Sequence, residues 1–395
     1  MQEKVLSNIL KLVLNKSKNR YDRSISLDLL EIAKSDLNDL NIKYEPFLYR
    51  SKERLKIYDN QAFVKTYVKN FYHNNSKFGF KVSNDKMLTE KYLKFAEIPT
   101  TSSIILEENQ LEQARLHIKN SEKSFVIKPV NLSGGAGVFV NVTLEDISYY
   151  WQQCIEIQRK YKVNNPQVIL QEMIDGFEVR VIVTEGKALS ATLRTPAYVI
   201  GDNQNTIEEL IIEKNKIKHE NGFMFNKKIK INNNLMKILN EKNLSLQSVL
   251  KKEQLCILNP ITNLVYGGEN IVVTDFVSEE VMRLAENAVA SMPGIQTAGV
   301  DVMINSLEDK DGYILEVNKA PAFQLNYYPY IGKPQAPLKY IFSSLILEDR
   351  ILKDRLTKDE IDETAFSLIT ERYKALYNKQ KQLEKIIENI EKSTN

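Results

Sequence analysis

The stretch 298–322 most constrains the fold, because it combines a strand pattern with oxygen-bearing side chains. Apolar and polar residues alternate over 299–304 and again over 313–317, which predicts two β-strands. The polar run 306–312 between them ends in glycine, which is typical of the turn of a hairpin. The sequence therefore predicts an antiparallel hairpin in this part of the chain.

Three oxygen donors are expected on one face of this hairpin. If the turn centres on 308–309, Asp301 lies opposite Glu316, because residues equidistant from the turn are paired. Asn318 shares their face, since it lies two residues beyond Glu316 on the same strand. Such oxygens suit Mg²⁺, which takes one or two carboxylates and completes its shell with water and phosphate oxygens. A solvated edge hairpin with scattered acids is the alternative interpretation.

Composition excludes several classes of function. The chain has 395 residues, 43% of them hydrophobic, and no apolar run reaches the roughly 18 residues of a membrane span. Its start does not resemble a signal peptide, so we expect a cytoplasmic protein. A net charge of +3 argues against a nucleic-acid surface, and three scattered histidines argue against zinc chemistry. Cys154 and Cys256 are too few for a disulfide framework.

A glycine-rich segment, 131–137, lies between two predicted strands at 125–129 and 138–142. Its glycines let backbone amides approach a phosphate closely. It lacks the Gly-Lys-Ser or Gly-Lys-Thr end of a P-loop and leads into a strand, whereas a P-loop leads into a helix. We therefore predict a strand-loop-strand cover over a triphosphate, with Lys128 supplying positive charge. An ordinary β-turn is the alternative.

Charged side chains also fall on predicted strands further along the chain. In 168–183, two apolar strands surround an Asp-Gly turn, a crossing of the kind that forms the wall and hinge of an adenine pocket. Glu178 and Arg180 lie two residues apart and share one face, for which a surface ion-pair ladder is the alternative. Arg194 stands in an otherwise uncharged strand, where a phosphate or carboxylate is its natural partner.

Capping residues predict where helices begin. Ser83-Asn84-Asp85 is expected to cap a helix that starts at Lys86 and ends near Ile98-Pro99, because a proline disfavours helical geometry in the residue before it. Thr206 is the expected cap of a second helix, which runs to Lys218. The first helix precedes the predicted strands at 125–142, and the second follows the predicted strand that contains Arg194.

Two regions carry no catalytic motif. Residues 219–270 are interpreted as an insertion that ends in a pocket-lining loop, 266–270. Residues 359–392 carry a recurrent apolar stripe on a predicted helix. We expect this helix to pack on the body of the protein, with pairing in a homodimer as the alternative.

In order, these blocks resemble the ATP-grasp superfamily of carboxylate-amine ligases, in particular the ATP-grasp portion of bifunctional glutathione synthetases and cyanophycin synthetase. The likeness covers about residues 83–340 and rests on the order of the blocks, including Arg194-Thr195-Pro196-Ala197, Gly201-Asp202 and 206–210. It implies an α/β (α+β) fold in which ATP lies between two α+β lobes. The implied domains are a small N-terminal lobe with a possible substrate role, two ATP-grasp lobes and a helical C-terminal extension: 1–82, 83–165, 166–345 and 346–395.

The resemblance also implies a role for each matched residue. The phosphates, adenine and ribose of ATP would be bound by Lys86, Lys128, Ser133, Gly134, Gly135, Gly137, Gln171, Glu172, Met173, Ile174 and Glu178. Two Mg²⁺ ions, with Mn²⁺ as the alternative, would be bound by Asp301, Glu316 and Asn318. The catalytic residues that act on the carboxylate and its acyl phosphate would be Arg180, Arg194 and Lys128.

The sequence departs from the family pattern at three places. Gln171 stands where many relatives have an acid, although its carbonyl oxygen also accepts a hydrogen bond from adenine. Asn203 replaces the glycine that usually follows Gly201-Asp202, and 319–323 lacks a Pro-Gly end. The segment 1–82 is also too short for the glutamate-cysteine ligase module of the bifunctional synthetases, which favours a stand-alone ligase.

The sequence thus predicts an ATP- and Mg²⁺-dependent enzyme that forms an amide bond through an acyl phosphate and releases ADP and phosphate. Its substrates would be the carboxylate of an amino acid or small peptide and an amine. One alternative modifies side-chain carboxylates of a ribosomal precursor peptide. Another is a non-catalytic nucleotide-binding regulatory module. We expect no nucleic-acid partner and no membrane partner.

Overall fold

Helices and strands occur throughout the described chain. The computed structural model describes residues 3–16, 28–70, 72, 74–121, 123–132 and 135–394. Its helices are α1 (Glu3–Lys16), α2 (Leu29–Asp39), α3 (Lys77–Asn84), α4 (Lys86–Phe95), α5 (Leu111–Lys119), α6 (Ile147–Lys160), α7 (Ile207–Glu220), α8 (Asn233–Glu241), α9 (Glu279–Ser291), α10 (Gln324–Tyr327), α11 (Pro337–Leu352) and α12 (Glu363–Thr394). Short 3-10 helices lie at Leu264–Tyr266 and Lys358–Glu360.

The strands of the same residues form four sheets, and every ladder between named strands is antiparallel. They are β1 (Lys43–Tyr49), β2 (Lys52–Asp59), β3 (Ala62–Tyr67), β4 (Ser103–Glu107), β5 (Phe125–Pro129), β6 (Phe139–Val142), β7 (Gln167–Glu172), β8 (Phe177–Thr184), β9 (Lys187–Thr195), β10 (Ala197–Ile200), β11 (Leu255–Asn259), β12 (Glu269–Val272), β13 (Ala298–Ile304) and β14 (Tyr313–Asn318). The sheet orders are β1-β2-β3, β4-β7-β5-β6, β10-β11 and β12-β9-β8-β13-β14.

The predicted hairpin is confirmed as β13 and β14. Asp301 pairs with Glu316, and Gly299 pairs with Asn318, so the expected register is also correct. A bulge between Asp301 and Val302 shifts the register towards the turn. The predicted crossing is confirmed as well, because 173–176 carry the chain from β7 of the four-stranded sheet to β8 of the five-stranded sheet.

The two faces of the five-stranded sheet differ in polarity. On one face, buried side chains such as Val179, Leu193 and Val300 belong to a large apolar core that also contains residues of α9 and α1. Residues between them along each strand face the other way, because side chains alternate across a strand. The opposite face therefore receives Arg180, Asp301 and their charged neighbours.

The N-terminal segment does not pack as one unit. Strands β1 to β3 share a core with α2 and α11, in which Leu29, Leu55 and Phe342 are buried. Helix α1 instead packs near β11, where the side chain of Glu3 accepts a hydrogen bond from the Ile257 amide at 3.0 Å. The boundaries 1–82, 83–165, 166–345 and 346–395 stay predictions.

Helix α4 begins as predicted and ends earlier. Of the predicted cap Ser83-Asn84-Asp85, only Asp85 acts as the N-cap: its side chain accepts hydrogen bonds from the amides of Met87 and Leu88. Ser83 and Asn84 belong to the end of α3 instead. The helix ends at Phe95 because Glu97 adopts a left-handed backbone with φ of 57°, so the chain turns before it reaches Pro99.

Helix α12 packs on α4, α9 and α11, as expected for the C-terminal helix. Within the described part of the chain, no helix has the length and hydrophobicity that a membrane span requires.

Candidate active site

The polar face of the five-stranded sheet carries two neighbouring ion pairs. Arg180 on β8 lies beside Asp301 on β13, and Asp301 lies beside Glu316 on β14. On the next pair of strands, Arg194 Nη1 lies 3.0 Å from a carboxylate oxygen of Glu178. The structure therefore brings together five of the side chains for which the sequence predicted a role.

The pair Arg180 and Asp301 is enclosed and doubly hydrogen-bonded. Both side chains are buried, and the guanidinium donates to both carboxylate oxygens. Burial acts to raise the pKa of Asp301, but Arg180 and Arg194 hold that pKa below its usual value. Burial likewise acts to lower the pKa of Arg180, and Asp301 raises it instead. Both groups are therefore charged at neutral pH.

Glu178 has the opposite electrostatic balance. Burial, together with the nearby charge of Asp301, raises the pKa of Glu178 to about 7, although Arg194 and Arg180 act against the shift. This carboxyl group is therefore partly protonated near neutral pH. Glu178 lies beside Arg194, and its role in ribose binding stays a prediction.

Two lysines and two acids line a small cavity between α4, β5 and β14: Lys86, Lys128, Glu90 and Glu316. Lys86 lies at the first position of α4, and its ammonium group donates to the carbonyl oxygens of Pro129, Val130 and Leu132 at 3.1–3.3 Å. Pro129 and Val130 directly precede the glycine-rich segment 131–137, and Leu132 lies within it. Burial lowers the pKa of Lys86. Lys86 is thus fixed at the entrance of that segment.

Lys128 is oriented by the next strand of its sheet. Its ammonium group donates to the side-chain oxygen of Gln171 on β7. Burial, together with repulsion from Lys86, lowers the pKa of Lys128 to about 8. Gln171, predicted to face adenine, therefore also positions a lysine that was predicted to bind phosphate.

The residues predicted to meet adenine lie where β7 ends and the crossing begins. The Met173 amide donates to the Ser124 carbonyl at 2.9 Å, and Glu172 forms an ion pair with Lys123 at 2.8 Å. Ile174 is half-buried. The stretch from Gln171 to Ile174 therefore borders both sheets, and its contact with adenine stays a prediction.

The described part of the glycine-rich loop has the backbone that only glycine adopts readily. Gly135 and Gly137 have φ of 81° and 72°, while Ser133 and Gly134 lie outside the described residues. A Cβ added to Gly135 would lie 3.7 Å from the side-chain nitrogen of Asn263. The loop is thus close to the segment 259–268, which is part of the insertion predicted from the sequence.

A magnesium site was predicted on the hairpin, and its donors are compatible with that ion. Across the described residues, no group of three or more His, Cys, Asp or Glu side chains is arranged to hold a metal. The donors are instead two carboxylates and one amide, from Asp301, Glu316 and Asn318. Each oxygen of Asp301 keeps a second lone pair beside the one used by Arg180, and Glu316 is exposed. This set fits Mg²⁺, which needs few protein oxygens when phosphates supply others.

A glycine makes room for the Arg180 side chain. A Cβ on Gly299 would lie 3.2 Å from Cδ of Arg180 and 3.0 Å from Cβ of Pro321. We expect Gly299→Ala to displace Arg180 and to lower the free energy of unfolding by about 1–3 kcal/mol, because Arg180 and Pro321 lie too close to Gly299 to leave room for a methyl group. Urea denaturation followed by circular dichroism measures this change. Unchanged stability in the variant would contradict the tight packing.

The loop predicted at 266–270 is wrong for Glu269 and Asn270. Both are fully buried in β12, where Asn270 pairs with Arg194 and donates to the Leu325 carbonyl at 2.6 Å. Glu269 is neutralised by Lys214 and Lys218 of α7, whose ammonium groups lie 3.0 and 3.5 Å from its Oε1.

The group formed by Glu269, Lys214 and Lys218 was not predicted from the sequence. Burial lowers the pKa of Lys214 to about 8 despite the neighbouring Glu269. The available signal was the four-residue spacing of Lys214 and Lys218, which places them on one face of a helix.

A family profile described as the ATP-grasp domain matches residues 83–322, which is more than half of the chain. The chain belongs to the ATP-grasp family. The ATP-grasp fold inferred from the order of the sequence blocks is therefore confirmed.

Two relatives resemble this ATP-grasp protein at similar levels. The glutathione biosynthesis bifunctional protein of Enterococcus faecalis is 30% identical over 234 residues, which cover 56% of this chain and 30% of the relative. The cyanophycin synthetase of a Synechocystis species is 30% identical over 266 residues, which cover 65% of this chain and 29% of the relative. The matched part thus spans about a third of each relative. The first relative is named for glutathione biosynthesis and the second as a cyanophycin synthetase.

A solved structure shows the same fold over most of the chain. The bifunctional glutathione synthetase from Pasteurella multocida aligns with a TM-score of 0.64 and 23% identity. The alignment covers 82% of this chain and 45% of that one. At this level of identity the likeness establishes the fold alone, so substrates must be argued from the site.

Proposed function

We propose that this ATP-grasp protein is an ATP- and Mg²⁺-dependent ligase that joins the carboxylate of an amino acid or small peptide to an amine. One observation carries the proposal. Glu316 of the hairpin lines the same cavity as Lys86 and Lys128, and it also lies opposite Asp301 on the neighbouring strand. Glu316 thus lies next to the lysines, which are suited to bind phosphates, and next to a further oxygen donor for Mg²⁺.

The lysines would bind the phosphates of ATP. Lys86 and Lys128 are held in place by backbone carbonyls and by Gln171, so their charges need little reorganisation when a phosphate arrives. Asp301, Glu316 and Asn318 would hold Mg²⁺, which neutralises phosphate charge and helps to orient the triphosphate. Gly135 and Gly137 would let the loop backbone approach the phosphates.

The arginines would orient the carboxylate substrate. Arg180 is committed to Asp301 by two hydrogen bonds, whereas Glu178 engages one Nη atom of Arg194. A guanidinium has five N–H donors, so Arg194 retains donors for a carboxylate or an acyl phosphate. Arg194 is thus the stronger candidate for direct contact with the reacting group, and Arg180 the stronger candidate for fixing Asp301.

The proposed reaction has two steps. A carboxylate oxygen of the substrate attacks the γ-phosphorus of ATP, and the bond from that phosphorus to ADP breaks. The amine nitrogen then attacks the acyl carbon, the bond to phosphate breaks with its electron pair, and the nitrogen loses a proton to solvent. A carboxylate is a poor acyl donor, so positioning and charge neutralisation supply the acceleration. The relatives named for glutathione and cyanophycin synthesis support amino acids or peptides as substrates.

A direct assay tests this proposal. The protein is incubated with ATP, Mg²⁺ and pooled amino acids or dipeptides, and phosphate release and new amide masses are followed together. We expect ADP formation that requires both a carboxylate and an amine. Lys128→Met should abolish it, whereas Lys119→Met, at the exposed end of α5, should not. Failure to bind nucleotide at millimolar ATP, or hydrolysis indifferent to both substrates, would overturn the proposal.

The affinity for ATP is expected to weaken as pH rises through about 8. Lys128 has a pKa of about 8 in the free protein, so it carries its charge below that pH and loses it above. Above this pH, Lys128 must first take up a proton before it can attract a phosphate with its full charge. We therefore expect the Kd for ATP to rise by about tenfold. Calorimetric titration with ATP at several pH values measures the effect.

Lys128→Arg provides the control for this pH dependence, because a guanidinium stays charged across the whole range. Its Kd is expected to change little with pH. A decline in affinity equal to that of the unsubstituted protein would show that another group, and not Lys128, titrates.

A further inference from the structure

The long helix α12 exposes a regular apolar pattern. Over Phe366 to Ile390 its residues follow a seven-residue repeat, in which the first and fourth positions of each repeat are mostly apolar. The first positions are Phe366, Tyr373, Gln380 and Ile387, and the fourth positions are Ile369, Leu376, Leu383 and Ile390. Seven of the eight are apolar, which is typical of the seam of a coiled coil.

This seam is not covered by the rest of the described chain. Tyr373 is 71% exposed, Phe366 64%, Leu376 56% and Leu383 54%. Tyr377, beside the seam, is 70% exposed. Scattered apolar residues are normal on a protein surface, but a continuous row along one helix marks an interaction site.

The other side of α12 is fixed to the body by specific contacts. A Cβ added to Gly186 would lie 2.5 Å from Cβ of Ala375, so the helix approaches the β8–β9 turn closely. Lys379 donates to the carbonyls of Met292 and Ile295 at 3.2 Å, and Asn389 donates to the Phe95 carbonyl at 2.9 Å.

These contacts decide which side of α12 faces solvent. Arg372 also donates to Ser344 Oγ and to the Glu348 carboxylate, at 2.7 and 2.6 Å. To bury its apolar seam against the body, the helix would have to rotate and break these bonds. The seam is therefore held outward as a stable surface feature.

The exposed surface is large enough for a stable partner. The three exposed aromatic side chains Phe366, Tyr373 and Tyr377 leave roughly 400 Å² accessible on each copy, because an aromatic side chain buries about 150–250 Å² in full. The aliphatic members of the seam add a comparable area. An interface of standard size buries about 800 Å² on each partner.

We propose that α12 pairs with α12 of a second copy of this chain in an antiparallel coiled coil. A two-fold axis near Asn378 places apolar side chains opposite each other along the seam. The layers are Phe366 with Ile390, Ile369 with Ile387, Tyr373 with Leu383 and Leu376 with Gln380, each pair formed between the two copies.

The antiparallel arrangement also separates polar and charged residues. Parallel pairing would stack Gln380 on Gln380 of the other copy and would bring each charged residue of 371–392 level with the same charge on the other copy. Antiparallel pairing places Glu384 of one copy near Thr370 of the other and covers Gln380 with Leu376. Like charges are thereby kept apart, which favours this self-complementary pairing over the parallel one.

Sedimentation velocity tests the dimer on the full chain. At protein concentrations on the order of 10 µM, we expect twice the mass of 45.6 kDa for one chain. Leu376→Glu should give the monomer, because it places two charges in adjacent central layers. Ser367→Glu adds the same charge to an exposed position of α12 outside the seam and should leave the dimer intact. Both side chains are exposed in one copy, so neither change should prevent folding.

Three results would overturn this inference. They are a monomeric unsubstituted protein, a Leu376→Glu variant that remains a dimer, and a monomer that binds a different protein through the seam. Cross-linking tests the direction of pairing, since Cys154 and Cys256 are both buried. A mixture of Ile369→Cys and Ile387→Cys chains should form a disulfide between the two variants. Ile369→Cys alone should not, and a disulfide in that sample would establish parallel pairing.

Discussion

Replacing Arg180 by leucine is expected to lower the free energy of unfolding by about 3–5 kcal/mol, because it leaves a buried carboxylate without its partner. Arg180 is 7% and Asp301 4% exposed, and the guanidinium donates to both carboxylate oxygens. Leucine supplies neither the charge nor the donors. Urea denaturation at neutral pH measures the loss.

The pH dependence of this loss identifies Asp301 as its cause. In the unsubstituted protein the pKa of Asp301 is held low, so its contribution to stability is present at neutral pH and is lost as pH falls through that low pKa. Without Arg180 the pKa of Asp301 should rise, since burial remains. Asp301 then binds a proton at moderately acidic pH, and the difference between variant and unsubstituted protein should shrink there.

Two further variants distinguish the loss of the buried ion pair from the nonspecific effect of replacing an arginine. Arg283→Leu removes an exposed arginine of α9 and should cost less than about 1 kcal/mol. The double variant Arg180→Leu with Asp301→Leu should be more stable than Arg180→Leu, because no buried charge remains. Equal destabilisation by Arg180→Leu and Arg283→Leu would contradict the assignment of a buried pair.

Local signals explain why the hairpin and the helix starts could be predicted. The pairing of Asp301 with Glu316 follows from the two-residue period of a strand and the position of the turn, both of which lie within about twenty residues. Asp85 and Thr206 act as helix caps through amides two or three residues away. Such interactions depend on neighbouring residues, so the sequence contains them directly.

Long-range contacts explain what could not be predicted. The burial of Glu269 in β12 depends on two lysines of α7, about fifty residues earlier in the sequence. A charged residue next to two glycines looks like part of a loop until its partners are known. The packing of α1 beside β11 likewise joins Glu3 to Ile257, and nothing near Glu3 indicates that contact.

The pairing of Arg180 with Asp301 shows the same limit inside the site. The sequence indicated that both side chains face one side of their strands, but not that β8 and β13 are neighbours. That adjacency makes Arg180 a partner of Asp301 instead of an isolated cation for substrate. The predicted roles of Arg180 and Arg194 therefore separate once the order of the strands is known.

Glu316→Gln is expected to lower kcat/KM of the proposed ligase reaction by about 10²–10³, with little change in stability. Glu316 is exposed on β14, so no buried contact is lost. Its carboxylate lines the cavity with Lys86 and Lys128 and pairs across the strands with Asp301. Glutamine keeps the shape and removes the charge that would hold Mg²⁺ beside the phosphates.

The dependence of the rate on Mg²⁺ distinguishes this role from a general effect on the hairpin. Glu316→Gln should raise the Mg²⁺ concentration needed for half-maximal rate, because one anionic ligand is missing. Glu308→Gln makes the same chemical change at the exposed turn of the same hairpin and should alter neither the rate nor the Mg²⁺ requirement. If Glu316→Gln turns over as fast as Glu308→Gln at limiting Mg²⁺, the carboxylate of Glu316 is not a metal ligand.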